Sequence, residues 1–182
     1  MIAIDSKTLK KFLRLAGDRL KGKWVIIGGT VLPLLGIDYR STIDIDIAGP
    51  KGSDQTEMLT LMEIAQELSL PVEAINQAAG FFLFKIKGWE KNLVELHRGK
   101  TASLYRPNAK LYLELKIPRL NETDLEDCLR LLQFEKAIGS ELDLSGIRQS
   151  LAREIVLANK EKNAVRVARL QRLQSIVSSR GD

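Results

Sequence analysis

The sequence predicts an α+β fold, in which a mixed β-sheet flanked by helices is followed by a helical C-terminal region. Short β-rich runs alternate with helical patterns over residues 1–107, whereas the apolar residues of 108–182 recur almost only at helical spacing. A chain of 182 residues suits one domain, or a core with a helical appendage. We therefore expect an α/β core over 1–107 and a helical region over 108–182.

Short runs of β-branched and aromatic residues mark the strands of the expected sheet. They lie at 24–27, 41–48, 81–87 and 92–97. Glycine and charged residues separate the last two runs, which predicts a hairpin. The first two runs are expected to be neighbouring strands, so the sheet should have at least four strands.

Apolar residues at spacings of three and four predict the helices. The expected helices cover about 6–20, 30–35, 54–69, 111–116, 123–138, 144–159 and 161–178. Ser6 is a plausible N-cap for the first helix. Thr123 and Glu126 have the spacing of a capping box, which predicts a helix start there.

Composition excludes several classes of protein and of site. Cys128 is the only cysteine and His97 the only histidine, so a disulfide framework and a zinc site with several Cys or His ligands are excluded. A metal would need carboxylate and water ligands, which favours Mg²⁺ or Mn²⁺. No apolar run approaches the roughly 18 residues of a membrane span. We therefore expect a cytoplasmic protein without membrane contact.

The run 41–48 is the most informative segment of the chain. Its strict alternation places Asp44 and Asp46 on one strand face, with Cα atoms about 7 Å apart. Two such carboxylates repel each other unless a cation lies between them, and a divalent cation can also bridge nucleotide phosphates. The alternative is a solvated strand face, which an isolated Asp-x-Asp pattern does not exclude.

Gly28 and Gly29 follow the first strand and precede a short helix. This is a position where backbone N–H groups can receive a phosphate, and the Thr30 hydroxyl is a further potential donor. A tight turn that only requires small residues would explain the two glycines equally well. No P-loop lysine follows and no dinucleotide-binding glycine motif is present, so those two nucleotide-binding classes are excluded.

The segment GGTVLPLLGIDYRSTIDIDI resembles the active-site signature of the DNA polymerase β-like nucleotidyltransferase superfamily. It is most similar to AbiEii-type abortive-infection proteins and related bacterial nucleotidyltransferases. The matching residues are Gly28, Gly29, Gly36, Arg40, Thr42, Asp44 and Asp46. The resemblance implies a nucleotidyltransferase fold, a Mg²⁺ (or Mn²⁺) ion on the two aspartates, and a nucleotide site that includes Arg40 and Thr42.

A second segment, YLELKIPRLNETDLEDCLRLL, is similar to a downstream segment of the same family. The resemblance implies that Lys116 holds the triphosphate, with Asp124 in the catalytic site. Asp127 and Asp124 lie three residues apart on one helix face and can orient Lys116 or Arg119. The alternative is a surface salt-bridge cluster.

Related enzymes commonly use a third carboxylate from a later strand. Glu95, in the expected strand 92–97, is the best candidate for this ligand or base, with His97 expected on the same face. The alternative for Glu95 is a charge on an edge strand. Without a third carboxylate, the protein would bind nucleotide without efficient transfer.

Three functions remain open from the sequence. The leading hypothesis is an enzyme that transfers NMP from an NTP to RNA, a protein or a small molecule, and that acts as the toxin of a pair with an antitoxin. The second is a nucleotide-binding regulatory module. The third is a nucleic-acid-binding protein, whose affinity would come from a C-terminal basic stripe that is otherwise a solvated face. The stripe consists of Lys162, Arg166, Arg169 and Arg172.

Overall fold

The structure is a computed structural model that describes residues 3–50, 55–78, 80–140 and 142–179. The chain divides into two compact units, Met1–Asn108 and Ala109–Asp182. The first unit contains the sheet and the second is helical.

The first unit contains a five-stranded mixed sheet with strand order β3-β2-β1-β5-β4. The strands are β1 (Gly22–Ile27), β2 (Ile45–Ala48), β3 (Ile75–Asn76), β4 (Leu93–Arg98) and β5 (Ala102–Pro107). The central strand β1 pairs antiparallel with β2 and parallel with β5. The predicted α+β class is confirmed, as is the predicted pairing of the first two strands.

Four α-helices lie within the described residues of the first unit. They are α1 (Ser6–Arg19), α2 (Val31–Leu34), α3 (Gln55–Glu67) and α4 (Gly80–Leu83), and single 3₁₀ turns cover Gly28–Thr30, Val72–Ala74 and Trp89–Asn92. The N-cap of α1 is Asp5, not the predicted Ser6. The Asp5 carboxylate accepts a hydrogen bond from the Thr8 backbone N–H at 2.7 Å, which satisfies one of the free donors of the first turn.

The core of the first unit lies between helices and one face of the sheet. Phe12 of α1 and Ile64 of α3 are buried together with Trp24, Ile26 and the other side chains on that face. Burial of each large apolar side chain contributes about 1.5–3 kcal/mol, so this layer fixes α1 and α3 on the sheet. Side chains alternate along a strand, so Asp46 projects from the opposite face to its buried neighbours Ile45 and Ile47.

Two strand predictions are corrected. Residues 81–87 do not form a strand: the chain is helical at Gly80–Leu83, where Gly80 packs closely on Ala48, and Phe82 is 60% exposed. The hairpin partner of β4 is instead β5, which pairs with it antiparallel after a short connection. The predicted strand 41–48 is regular only from Ile45 onward, so Ile43 is 39% exposed and not in the core.

The second unit consists of four helices within its described residues. They are α5 (Ala109–Lys116), α6 (Glu122–Ala137), α7 (Ser145–Lys160) and α8 (Ala164–Ser178), which confirms the predicted helical C-terminal region. The capping box of α6 uses Asn121 and Asp124 rather than the predicted Thr123 and Glu126. None of the helices in the described ranges is long and apolar enough to cross a membrane.

Candidate active site

The turn after β1 contacts the aspartate strand directly. Ile27, the last residue of β1, pairs with Asp46 of β2, and Gly28 follows with φ 68°. A Cβ atom at Gly28 would overlap Oδ2 of Asp46 and lie 2.9 Å from its Cγ. Glycine is therefore required here both for its backbone conformation and for the approach of the Asp46 carboxylate.

The Thr30 hydroxyl ties this turn to the backbone of both aspartates. Its Oγ1 donates to the Asp44 carbonyl at 2.9 Å and accepts from the Asp46 N–H at 3.3 Å. The Thr42 hydroxyl also donates to the Asp44 carbonyl, at 3.0 Å. Thr30 and Thr42 are both buried, so these contacts hold the Asp44–Asp46 backbone against the turn with little competition from water.

Asn76 is a site residue that the sequence did not reveal. It pairs with Asp46 across β3 and β2, and its Nδ2 donates to Oδ1 of Asp46 at 2.9 Å. The Asn76 Oδ1 accepts from the Ala78 N–H at 3.0 Å, which fixes the orientation of the amide. Asn76 therefore orients the Asp46 carboxylate, although no motif in the sequence marks it.

Asp44 differs from Asp46 in its surroundings. It is exposed and lies just before the regular part of β2, and its carboxylate has no ion pair within the described part of the chain. Two carboxylates fit Mg²⁺, which proteins usually hold through one or two carboxylates plus water and substrate phosphates. Among the described residues, no cluster of three Asp, Glu, His or Cys side chains can hold a metal. Water and substrate would have to supply the remaining ligands.

A positive charge lies beside the glycine turn. The Arg40 guanidinium is so close to Gly29 that a Cβ there would overlap Nη2 and lie 3.1 Å from Cζ. The Arg40 Nε also donates to the Tyr39 hydroxyl at 3.1 Å. The turn thus has a planar cation directly against its backbone, and a guanidinium suits a phosphate group.

A family model described as a nucleotidyltransferase of unknown function (DUF6036) matches residues 2–178. The chain belongs to this nucleotidyltransferase family. No curated protein and no solved structure gives a significant match to the chain. The family confirms the resemblance at the level of nucleotidyltransferases, while the closer relationship to AbiEii-type proteins stays a prediction.

The nucleotidyltransferase does not bring Glu95 to the two aspartates. Glu95 lies on the edge strand β4, and β5 and β1 separate that strand from β2. It forms an ion pair with Arg98, with Nε 3.3 Å from Oε1. The hydrogen bond and the Glu95 charge raise the pKa of the Arg98 guanidinium.

The prediction that His97 shares a strand face with Glu95 is wrong. A bulge interrupts β4 between them, so that Glu95 pairs with Tyr105 and His97 with the adjacent Leu104. Adjacent partners point to opposite faces, and Leu104 belongs to the core on the α1 side of the sheet. His97 accordingly lies next to Gly17 of α1.

Lys116 is the centre of a buried ionic cluster within the second unit. Its Nζ lies 2.7 Å from Oδ1 of Asp124 and 2.9 Å from Oδ2 of Asp127. Arg119 pairs with the other oxygen of Asp124 at 2.8 Å, and the Tyr112 hydroxyl donates to Asp127 at 3.5 Å. The two aspartates and Lys116 are buried, so the alternative of a surface salt-bridge cluster does not hold.

Part of the C-terminal basic stripe of the nucleotidyltransferase forms contacts within the second unit. Arg166 pairs with Glu154 at 2.6 Å and with Glu161 at 3.1 Å, and its side chain is only 13% exposed. Arg169 donates to the Leu120 carbonyl at 3.2 Å. Two of the four cations of the predicted stripe therefore hold the second unit together rather than forming a solvated face.

Proposed function

We propose that the protein transfers NMP from an NTP to an acceptor, with Mg²⁺ (or Mn²⁺) held by Asp44 and Asp46. The observation that carries the proposal is the close contact of Gly28 with the Asp46 carboxylate. A phosphate group received at the Gly28–Gly29 turn would lie directly beside the Asp46 carboxylate. When bound, the cation offsets charge on the phosphates and on the departing pyrophosphate.

The other residues of this site have distinct roles in the proposal. Gly29 leaves room for the Arg40 guanidinium to lie against the turn, where it supplies a positive charge for a phosphate group. Thr30 and Thr42 act as positioning residues, because their hydroxyls hold the carbonyl of Asp44. Asn76 does the same for Asp46 by fixing one carboxylate oxygen.

For Lys116 and Asp124, a structural role accounts better for their contacts than the predicted roles in triphosphate binding and catalysis. A Lys116 that reached a phosphate would leave Asp124 and Asp127 buried without their ammonium partner. Removing one partner of a buried ion pair costs about 3–5 kcal/mol. We therefore propose that this cluster stabilises the second unit.

The proposal can be tested by pyrophosphate release and by thermal unfolding with Mg²⁺ and each NTP. With a cell extract that supplies the acceptor, wild-type protein should release pyrophosphate above the level of the extract alone, and its Tm should rise when the metal and the nucleotide are both present. Asp44→Asn/Asp46→Asn protein should lose both effects and remain at least as stable without ligand, because carboxylate repulsion is relieved. Glu63→Gln/Glu73→Gln removes two exposed acids of the same unit and is the matched control. A double aspartate variant that still releases pyrophosphate would refute the assignment.

The proposed acceptor is an RNA, a protein or a small molecule, and the proposed partner is an antitoxin, as the resemblance implies. Incubation of the protein with α-labelled NTPs and a cell extract would identify the acceptor. Label that is removed by ribonuclease indicates RNA, and label that is removed by protease indicates a protein. Growth arrest that needs Asp44 and Asp46 would support a toxin, whereas unaffected growth would count against it.

One observation favours a second function, a nucleotide-binding module with little turnover. Within the described ranges no third carboxylate, histidine or cysteine joins Asp44 and Asp46 in a metal-binding group. Such a module would show the rise in Tm with metal and NTP but would release no pyrophosphate. The same two measurements therefore separate the two functions.

A further inference from the structure

The outer face of helix α1 carries four cations. We call this surface the basic face of α1, and it consists of Lys7, Lys10, Lys11 and Arg14. Their spacing of three and four residues places them on one side of the helix, and all four are exposed. With Ser6 they line an open depression of about 400 Å³. They supply four positive charges to a chain whose formal net charge is +5.

These cations lack the carboxylate partners that other basic residues have. Arg19, at the end of the same helix, pairs with Glu67 at 2.6 Å. In contrast, no ion pair involves any residue of the basic face within the described part of the chain. Asp5 is the nearest acid in sequence, and its carboxylate caps the helix. The hydrogen bonds from Thr8, followed by the charges of Lys7 and Lys11, lower the pKa of Asp5.

The packing of α1 explains why this face remains exposed. Leu9, Phe12, Leu13 and Ala16 occupy the opposite side of the helix and are buried against the sheet and α3. The apolar side of α1 is therefore not available to enter a lipid bilayer, which an interfacial membrane helix requires. The exposed side also lacks the aromatic and aliphatic core of a typical protein interface. A dense group of cations without apolar residues is typical of surfaces that bind a phosphate backbone.

We propose that the basic face of α1 binds the sugar–phosphate backbone of a nucleic acid. Lys7 and Arg14 are seven residues apart, so the face extends about 10 Å along the helix, enough for two or three successive phosphates. It lies on the α1 side of the sheet, whereas Asp46 projects from the other face. The binding surface is thus separate from the aspartate site and does not depend on nucleotide transfer.

Fluorescence anisotropy with a labelled RNA duplex of about 20 base pairs, between about 50 and 200 mM salt, tests the proposal. Each phosphate contact contributes about 0.9 to the slope of log K against log salt. Lys7→Gln/Lys10→Gln/Lys11→Gln/Arg14→Gln should therefore reduce that slope by about 2 to 3 and weaken binding at least about tenfold. Lys10→Gln/Lys11→Gln, which is less disturbing to the fold, should reduce the slope by about 1 to 2. A DNA duplex of the same length tests whether both nucleic acids bind.

The matched control has the same net charge but keeps the basic face. Lys87→Gln/Lys91→Gln/Lys136→Gln/Lys160→Gln removes four exposed lysines elsewhere, and binding should change less than about threefold. Equal weakening by the control would mean that net charge alone attracts the RNA, which overturns the proposal. Absence of binding by wild-type protein at the lowest salt also overturns it. Displacement by polyglutamate as effectively as by unlabelled RNA would indicate an acidic protein partner instead.

Discussion

The chain contains two pairs of aspartates whose surroundings are opposite. Asp124 and Asp127 are buried, and Lys116 lies between them with Nζ within 2.9 Å of both. Asp44 is exposed, and Asp46 is half-buried beside a glycine turn. In the first pair, the positive partner is a side chain of the chain itself. In the second, Asp44 stays exposed and forms no ion pair within the described residues, so this is the pair that we propose to bind a cation and a nucleotide.

The spacing of two acidic residues alone therefore does not identify a catalytic site. Both pairs stand out in the sequence, and both match segments of a nucleotidyltransferase family. Burial and the position of the nearest ammonium group distinguish them, because a buried charge that is already paired is costly to displace.

The largest effect is expected from Lys116→Met. The substitution keeps an unbranched apolar stem but leaves two carboxylates buried without an ammonium, which should reduce the free energy of unfolding by about 3–5 kcal/mol. Urea denaturation of the full chain measures this change. Arg119→Met is the control, because the Arg119 side chain is 67% exposed and its pair with Asp124 should contribute at most about 1 kcal/mol. Equal losses from the two substitutions would contradict the structural role of Lys116.

The second expected effect is a loss of activity without a loss of stability. Asp44→Asn should lower the rate of pyrophosphate release at least about 100-fold, or about 2.7 kcal/mol, because the proposed metal ligand is lost. The free energy of unfolding without ligand should change by no more than about 0.5 kcal/mol, since the side chain is exposed. Steady-state kinetics and urea denaturation of the same preparation check both statements. A large loss of stability would place Asp44 in the same class as Asp124.

A smaller effect is expected from Gly28→Ala, with Gly36→Ala as its control. Both glycines have positive φ, 68° and 78°, so each substitution should cost about 1–2 kcal/mol of stability. Only at Gly28 would the new Cβ also overlap the Asp46 carboxylate, whereas nothing lies within 4 Å at Gly36. Gly28→Ala should therefore also abolish the rise in Tm with Mg²⁺ and NTP. If Gly36→Ala abolished it equally, the close contact at Gly28 would not be the cause.

The smallest effect concerns Glu114 of α5, whose pKa is affected more by burial than by the nearest charge. Burial raises the pKa of Glu114, and the charge of Lys110 opposes this only in part. Because its folded-state pKa is above the unfolded value, ionisation disfavours the folded state, and this cost appears as pH rises through the folded pKa. Glu114→Gln should therefore raise the Tm slightly at pH 7 and have no such effect near pH 4. An equal shift at both pH values would rule out this explanation.

Much of the site could be predicted because it is local in sequence. The alternation around Asp44 and Asp46 and the double glycine after β1 lie within one short segment, and the pairing of β1 with β2 brings them together. Asn76 could not be predicted, since its contact with Asp46 requires knowing that β3 lies beside β2. The sequence could not show that Glu95 lies away from Asp46 for the same reason, because their separation depends on the order of strands across the whole sheet.

Local patterns were also ambiguous where packing decides the structure. The alternation of apolar residues in 81–87 fits a strand, but Gly80 packs on Ala48 and the chain forms a helical turn there instead. The burial of Lys116 could not be deduced either, because it follows from how α5 and α6 pack together. In both cases, contacts between elements outweighed the tendency of the segment itself.

The pairing of β1 with β5 has a consequence for how the first unit folds. This pairing places residues about 80 positions apart in the sequence next to each other, with Gly22 opposite Ala102. Strand β1 is the central strand of the sheet. The chain loses the entropy of closing this long loop before it gains any contact between β1 and β5, and this slows folding. During synthesis, β1 can meet β2 early, but its other edge stays open until β5 has left the ribosome. Pulse-labelled hydrogen exchange should accordingly show protection on the β2 side of β1 before the β5 side.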